Sequence, residues 1–336
     1  MRYIKCFLII IIFFMLIIIS GKLVSLKYIN LYPEGSFISD YYKEKYSHDV
    51  IFLGDCEAYT SFSPMTIYKE TGLTSFVRGN SQQLIGQSYY ILKETLTYET
   101  PKVVVLSVGG MRYNRYIKEE YNRLLLDKIK WSQEKLELIK YSKMSQENFL
   151  SYMFPILRYH SRITELTKDD IDYLFKDKVV SHNGFIINQE IKPLTVLPAK
   201  KILDNYNFSD ENILFLNKII KLCKENGITL ILVKSPTLYP YWYEEYDNYI
   251  VEFAKNNNLD YYNLLKLRDE IKIDFNYDTY DGGVHLNLNG AEKLSKYFAN
   301  LLVEKYNLVK HLDDKIKMDY NEKYERYEKE INEKSN

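Results

Sequence analysis

Length, composition and charge exclude several classes of protein. The chain has 336 residues, of which 46% are hydrophobic, enough to bury the core of one large domain. Its 45 Lys and Arg residues balance 45 Asp and Glu residues, and no basic stripe with interleaved aromatic residues runs along it. We therefore expect no nucleic-acid partner. Only three cysteines occur, which excludes a secreted fold stapled by several disulfides.

The N-terminal segment has the composition of a membrane anchor. Residues 6–21 are almost entirely apolar and follow Arg2 and Lys5. Their number approaches the roughly 20 apolar residues that span a bilayer. No small-x-small cleavage site follows, which favours an uncleaved signal anchor over a removed signal peptide. Because positive residues precede the apolar run, we predict a single-pass protein of the cell membrane, with residues 1–26 as the anchor and the main domain outside the cytoplasm.

Short apolar runs alternate with amphipathic helical segments over much of the remaining chain. A run such as KVVVLSV at 102–108 is typical of a parallel strand that is buried on both faces. The predicted strands are 50–53, 74–77, 102–108, 229–234 and 259–262, and the predicted helices are 82–98, 210–226, 244–256 and 290–306. This order predicts a doubly wound parallel α/β sheet with three layers, of the flavodoxin-like kind.

Two stretches depart from the alternation. Between about 111 and 200 the pattern indicates Tyr-, Lys- and Leu-rich helices, which we interpret as a helical insertion in one α/β domain at 27–310. The stretch 311–336 is rich in Lys, Glu, Asp, Asn and Tyr. We expect this charged C-terminal tail to be either a solvated helix or disordered.

The ends of the predicted strands carry candidate functional residues, since open α/β sheets bind ligands beyond the carboxyl ends of their strands. Cys56 follows the first strand in the sequence GDCE, and the N-terminus of the next helix could lower the pKa of its thiol. Gly79 and Asn80 follow the second strand, and Gly109 and Gly110 follow the third. These four residues could offer N–H groups to an oxyanion.

A histidine motif lies far downstream, in DGGVHLNLNGA at 281–291. A nucleophile needs a base within hydrogen-bond reach and an orienting group behind that base, and sequence distance is no obstacle to such an arrangement. Cys56, His285 and Asp281 would satisfy these needs as nucleophile, base and orienting carboxylate. Asp278 remains open as a second candidate for the carboxylate.

Both motifs resemble the sequence blocks of a known superfamily. GDCEAY at 54–59 resembles the first block of SGNH (GDSL-like) hydrolases, and 281–291 resembles their last block. The resemblance is closest to the membrane-anchored, extracytoplasmic branch that includes DltD-like proteins of lipoteichoic acid D-alanylation, whose first block is of GSSE type. It implies an SGNH-hydrolase-like fold, with Cys56 in place of the usual serine nucleophile, His285 as base and oxyanion contacts from the region of Gly79.

The resemblance also implies an activity. An acyl group would pass through Cys56 to a cell-surface polysaccharide or teichoic acid, with a membrane-bound O-acyltransferase as a possible partner. Water as the acceptor would make the protein an esterase. The sequence contains no HExxH, CxxC, GxxxxGK[ST] or GxGxxG motif, so we expect neither a metal nor a nucleotide cofactor.

One departure from the superfamily pattern favours an alternative function. The segment GGMRYN lacks the asparagine that block three normally supplies as an oxyanion donor, with Asn80 and Asn114 as substitutes. The alternative is a catalytically silent SGNH scaffold that binds glycan or positions a membrane acyltransferase. Within the helical stretch, Arg158, His160 and Arg162 are candidate ligands for an anionic substrate.

Overall fold

The structure, a computed structural model, describes residues 2–25, 34–113, 118–175, 179–309 and 313–335. The strands are β1 (Val50–Gly54), β2 (Ser75–Gly79), β3 (Val103–Ser107), β4 (Thr229–Lys234) and β5 (Asp260–Asn263). The α-helices in the described ranges are α1 (Arg2–Val24), α2 (Glu34–Asp40), α3 (Cys56–Ser61), α4 (Pro64–Thr71), α5 (Ile85–Thr95), α6 (Glu119–Lys128), α7 (Gln133–Ser142), α8 (Leu150–Met153), α9 (Ile156–Tyr159), α10 (Lys168–Phe175), α11 (Asp210–Glu225), α12 (Glu244–Asn256), α13 (Arg268–Ile271), α14 (Leu288–Tyr306) and α15 (Asp314–Ser335).

The chain forms two compact units, and unit 2 contains the sheet. Unit 2 comprises Asp40–Tyr116 and Ser181–Asn336. Its five strands are all parallel and lie in the order β2-β1-β3-β4-β5. That order is the flavodoxin-like one, whose ligand site lies at the switch point between β1 and β3. The predicted doubly wound parallel sheet is therefore confirmed.

Helices cover the sheet of unit 2, whose first three strands are buried throughout. Every residue of β1, β2 and β3 is buried, which fits the continuous apolar sequences of β1 and β3. Helix α14 packs against α3 and α4, and α5 packs against α11. Between β1 and α14, Phe52, Phe62 and Phe298 form an aromatic core in which the rings of Phe52 and Phe62 stack with centroids 4.4 Å apart.

The end of the chain contributes to the core of unit 2. Helix α15 packs against α4 and places the side chains of Tyr320 and Tyr327 in the interior, each 1% exposed. We expected a solvated helix or a disordered tail after His311. Residues 314–335 are helical, but the helix buries one face through its tyrosines instead of being solvated all round.

Unit 1 comprises Met1–Ser39 and Ile117–Val180, and its described residues are largely helical. Among the residues that the structure describes, Tyr3–Val24 in α1 is the segment long and apolar enough to span a membrane or to act as a signal anchor. At 1.5 Å per residue, its 22 residues extend about 33 Å. Its end packs closely on the chain at Pro155, since a Cβ on Gly21 would lie 3.3 Å from the Pro155 ring.

Candidate active site

The turn after β1 places Cys56 at the carboxyl end of the sheet. Gly54 has φ +155°, and a Cβ there would lie 2.6 Å from Cβ of Ser107 on β3, so a side chain at this position would force the two strands apart. Asp55 then caps α3, because its Oδ1 accepts the backbone N–H of Glu57 at 3.1 Å. Cys56 is consequently the first residue of α3, at the switch point of the sheet.

The segment before α14 holds His285 through Asp281. Asp281 Oδ2 lies 2.6 Å from His285 Nδ1, and Asp281 Oδ1 accepts the backbone N–H of His285 at 2.7 Å. The ring of Tyr280 stacks on the imidazole with centroids 5.6 Å apart. Asn287 caps α14 by accepting the N–H of Gly290 at 3.2 Å. The loop that carries the imidazole is thus held by Asp281 before it and by the Asn287 cap after it.

The structure brings Cys56, His285 and Asp281 together. The thiol of Cys56 and the ring of His285 are close enough for each to shift the pKa of the other. Since Nδ1 faces Asp281, Nε2 is the ring nitrogen left for the sulfur. Asp278 is occupied elsewhere: its buried Oδ2 accepts the Asp274 N–H at 2.8 Å and binds Lys293 Nζ at 2.6 Å. Of the two carboxylates left open by the sequence, Asp281 is therefore the one that contacts the histidine.

Burial decides the direction of the Cys56 pKa. Burial raises the pKa of the thiol, His285 acts in the lowering direction, and the carboxylates of Asp55 and Glu57 add to the rise. The direction is opposite to the lowering that a helix N-terminus could supply, and burial of the thiol is its largest cause. For His285, burial acts to lower the pKa, but Cys56 and Asp281 raise it well above its ordinary value. Both neighbours thus increase the affinity of the imidazole for a proton, as a base that takes the proton of the thiol requires.

A buried charge network lies next to Cys56, and the sequence pattern did not predict it. Glu57 binds Arg112 through Oε1 at 2.8 Å and Lys234 through Oε2 at 2.7 Å. Burial acts to raise the pKa of Glu57, but Lys234 and Arg112 hold it at about 2. Burial and the Glu57 charge raise the pKa of the neighbouring Asp55 to about 6. The feature of the sequence that could have indicated this network is Lys234, a lone cation at the end of the apolar strand β4.

Each cation of this network has further partners. Lys234 Nζ is fully buried and also donates to the Ser235 carbonyl at 2.8 Å and to Thr237 Oγ1 at 2.7 Å. Arg112 Nε donates to the Gly109 carbonyl at 2.9 Å. Arg112 contacts Glu57, which follows Cys56, and Gly109 in the turn after β3. The network therefore holds the loop after β1 and the loop after β3 in place at the switch point.

Two of the predicted oxyanion glycines border the Cys56 turn. A Cβ on Gly79 would lie 3.1 Å from the Gly54 carbonyl oxygen, and a Cβ on Gly109 would lie 3.0 Å from Glu57 Oε2. At both positions a Cβ would be in tighter than ordinary contact, so the neighbouring atoms would have to shift. Their roles as oxyanion donors remain predictions.

The other oxyanion candidates occupy different positions. Asn80 is buried, its backbone N–H donates to the Gly54 carbonyl at 3.3 Å, and its amide donates to the Ser81 carbonyl. Gly110 packs against the backbone at Gln83. Asn114 lies outside the described residues.

Three candidate substrate ligands lie in unit 1, whereas Cys56 and His285 lie in unit 2. Arg158 pairs with Glu119 at 2.7 Å, and His160 is exposed. Arg162 donates to the carbonyls of Val24 and Ser25 and so caps the end of α1. Within unit 1 the two arginines thus have structural partners, and a role in substrate binding remains a prediction for all three.

The described part of the chain contains no group of three or more His, Cys, Asp or Glu side chains arranged to hold a metal ion. The chemistry that this site offers through its own residues is that of the thiol, the imidazole, the carboxylates and the backbone amides around them.

Comparison with known proteins finds similarity in structure and not in sequence. No protein family matches the sequence, and no curated protein matches it. The chain is similar to the crystal structure of a GDSL-like lipase from Bacteroides thetaiotaomicron, at 14% sequence identity and a TM-score of 0.37, over 81% of this chain and 100% of that chain.

Proposed function

We propose that this protein is an acyl-transfer enzyme of the SGNH (GDSL-like) type with Cys56 as its nucleophile. The observation that carries the proposal is that His285, hydrogen-bonded to Asp281, lies beside Cys56 at the switch point of the sheet, although the two segments are about 230 residues apart in the sequence. A nucleophile, a base and an orienting carboxylate in this order are what acyl transfer requires.

The proposed reaction has two half-reactions. As Cys56 Sγ attacks the acyl carbonyl carbon, His285 Nε2 takes the thiol proton and then gives it to the leaving alcohol, so that a thioester remains on Cys56. An acceptor hydroxyl next loses its proton to His285 and attacks the thioester. The thiolate leaves, regains the proton from His285, and the product is a new ester.

The proposed acyl acceptor follows from the proposed location of the catalytic unit outside the cytoplasm. With α1 as an uncleaved anchor and positive residues before it, the catalytic unit would lie outside the cytoplasm. The hydroxyl-rich acceptors at that surface are polysaccharides and teichoic acids, and the resemblance to DltD-like proteins supports the same choice. A membrane-bound O-acyltransferase is the proposed donor partner, and water as acceptor would make the reaction an ester hydrolysis.

Trapping the acyl-enzyme tests the proposal without knowledge of the natural substrate. Full-length protein in detergent is incubated with p-nitrophenyl acetate, and peptides are examined by mass spectrometry. We expect acetyl on Cys56, no adduct at this position in Cys56→Ala, and slow formation in His285→Ala. Cys223→Ala and His160→Ala serve as matched controls that should leave the adduct unchanged.

The catalytically silent scaffold remains the second candidate, and the raised pKa of the Cys56 thiol is the observation that favours it. If folded wild-type protein formed no Cys56 thioester with several activated esters, the scaffold would replace the enzyme as the better proposal. Glycan binding that persisted in Cys56→Ala would then support it directly.

A further inference from the structure

Unit 1 contains a cavity of about 610 Å³ at the end of the predicted membrane helix. This volume lies within the usual range for sites that hold small molecules. Its lining combines aliphatic, aromatic, cationic and anionic side chains. The apolar lining residues are Ile17, Ile18, Trp131, Met153, Phe154 and Pro155.

One wall of the cavity belongs to the end of α1. Ile17 and Ile18 line it, and Lys22 follows one turn later. Since α1 is about as long as the hydrocarbon core of a bilayer is thick, Ile18 would lie about 9 Å inside the end of the span, among the acyl chains, and Lys22 would lie close to the membrane surface. Ile18 is 64% exposed within the protein, so its side chain would face lipid. With α1 in a bilayer, the cavity would lie where acyl chains meet headgroups.

The lining of the cavity is also positively charged. Lys128 and Lys135 line it together with Lys22. Lys135 is almost completely buried, donates to the Ile129 carbonyl at 2.8 Å, and has its ammonium 4.4 Å from the centre of the Trp131 ring. Three cations around one cavity favour an anionic group such as a phosphate.

A buried carboxylate adds a second polar feature to the same lining. The side chain of Asp127 is only 4% exposed, and its Oδ2 accepts the hydroxyl of Tyr159 at 2.8 Å. No donor among the described residues reaches Asp127 Oδ1. A buried acceptor of this kind is costly unless a donor reaches it, and a hydroxyl of a ligand in the cavity would do so.

We propose that this cavity binds one phospholipid that carries both an anionic phosphate and a hydroxyl in its headgroup. The phosphate lies among Lys22, Lys128 and Lys135, and the headgroup hydroxyl donates to Asp127. The parts of the acyl chains nearest the headgroup contact Ile17 and Ile18 of α1. A neutral zwitterionic headgroup would bring a second cation toward the lysines and would fit less well. The inference involves unit 1 alone and does not depend on the chemistry of Cys56.

Native mass spectrometry of the full-length protein in mild detergent tests the proposal. The protein is titrated with phosphatidylglycerol, with phosphatidylethanol, which has the charge without the hydroxyl, and with phosphatidylcholine. We expect one saturable phosphatidylglycerol site, at least fivefold tighter than for phosphatidylcholine and at least twofold tighter than for phosphatidylethanol.

Two variants and one matched control locate the site. Lys128→Gln removes a lining charge, and Met153→Trp fills the cavity from a partly exposed position; each should weaken phosphatidylglycerol binding at least threefold. Lys140→Gln makes the same charge change on an exposed lysine of α7 and should have no effect. The proposal would be overturned if all three lipids were retained equally or if several equivalent lipids bound. It would also be overturned if Lys128→Gln and Lys140→Gln had equal effects, or if soluble glycerol phosphate displaced the lipid fully.

Discussion

Asp281 contacts His285 twice, through one carboxylate oxygen on the imidazole Nδ1 at 2.6 Å and through the other on the backbone N–H at 2.7 Å. The two residues are four positions apart, one more than in the DxxH motif that the segment resembles. Gly282 and Gly283 lie between them with φ of +77° and +91°, in the left-handed region that favours glycine. The two glycines let the chain fold back far enough for the carboxylate to reach the ring.

Replacing Asp281 should slow the chemistry without unfolding the protein. Asp281→Asn keeps an oxygen for one contact but loses the charge that stabilises a protonated His285, so we expect thioester formation on Cys56 to slow by roughly 10²- to 10⁴-fold. The rate of p-nitrophenol release measures this. Asp269→Asn, on a carboxylate that is 93% exposed, is the matched control. An unchanged rate in Asp281→Asn would remove Asp281 from the proposed mechanism.

The alkylation of Cys56 should require alkaline pH. Because burial raises the pKa of this thiol and His285 opposes that rise, the midpoint of the alkylation rate should lie above the value of about 8.5 for a free thiol. His285→Ala should shift the midpoint further upward, and Glu57→Gln should shift it downward by removing a negative charge. Stopped-time labelling with iodoacetamide in a Cys6→Ser, Cys223→Ala background measures the profile. A midpoint well below that of a free thiol would contradict the upward shift.

The strands β1, β3 and β4 were predictable from sequence because each is a short and largely apolar run. All five predicted strands are present, and β4 has the predicted bounds of 229–234. Cys56 and His285 could be paired because the two motifs end a strand and precede a helix, positions that bring their side chains to one edge of a parallel sheet.

The charge network around Glu57 could not be predicted from the sequence, and the reason is physical. Glu57 and Lys234 are 177 residues apart and meet only because β1 and β4 both flank β3, which is a property of strand order and not of local pattern. The raised pKa of Cys56 could not be foreseen because a sequence displays the helix start but not the depth of burial. Tyr320 and Tyr327 were missed because a composition dominated by charge hid their seven-residue spacing.

The Glu57–Lys234 pair should behave as a buried ion pair. Lys234→Met leaves the Glu57 carboxylate with Arg112 alone, and we expect a loss of about 3 kcal/mol in the free energy of unfolding. Glu57→Gln combined with Lys234→Met should recover part of that loss because it also removes the carboxylate that Lys234 paired with, while Arg112 keeps Asp55 at 3.8 Å. Urea unfolding in detergent measures both. Lys221→Met, on an exposed helical lysine paired with Glu225, should change stability by less than about 0.5 kcal/mol.

Helix α15 should be part of the folding unit. Tyr327 is buried, its hydroxyl donates to Glu292 at 3.0 Å, and it accepts from Ser63 at 3.3 Å. Tyr327→Ala should cost about 3 to 5 kcal/mol and Tyr327→Phe about 1 kcal/mol, because the second change removes only the hydrogen bonds. Tyr277→Ala, on a residue that is 62% exposed, should have little effect. Equal stabilities for Tyr327→Ala and Tyr277→Ala would show that α15 does not contribute to the core.

His48 should make stability fall as pH rises. Its buried ring lies between two carboxylates, with Nδ1 3.0 Å from Glu99 and Nε2 3.2 Å from Glu44. Burial acts to lower the pKa of His48, but the hydrogen bonds to Glu44 and Glu99 raise it above the ordinary value. A raised pKa means that folding takes up a proton, so the contribution is complete below about pH 6.5 and is lost as pH rises through the folded-state pKa.

The measurement for His48 is the free energy of unfolding from pH 5.5 to 9 in wild type and in His48→Gln. The wild type should lose stability with a slope of up to about 1.4 kcal/mol per pH unit for this proton, and the variant should lose less over the same range. His285, whose pKa is also raised, contributes equally to both proteins and cancels in the difference. His160→Gln, on an exposed histidine, controls for the substitution itself. If the stability of wild type and of His48→Gln changed with pH in parallel, the His48 ring would be neutral in the folded protein. One of its two carboxylates would then have to hold the proton.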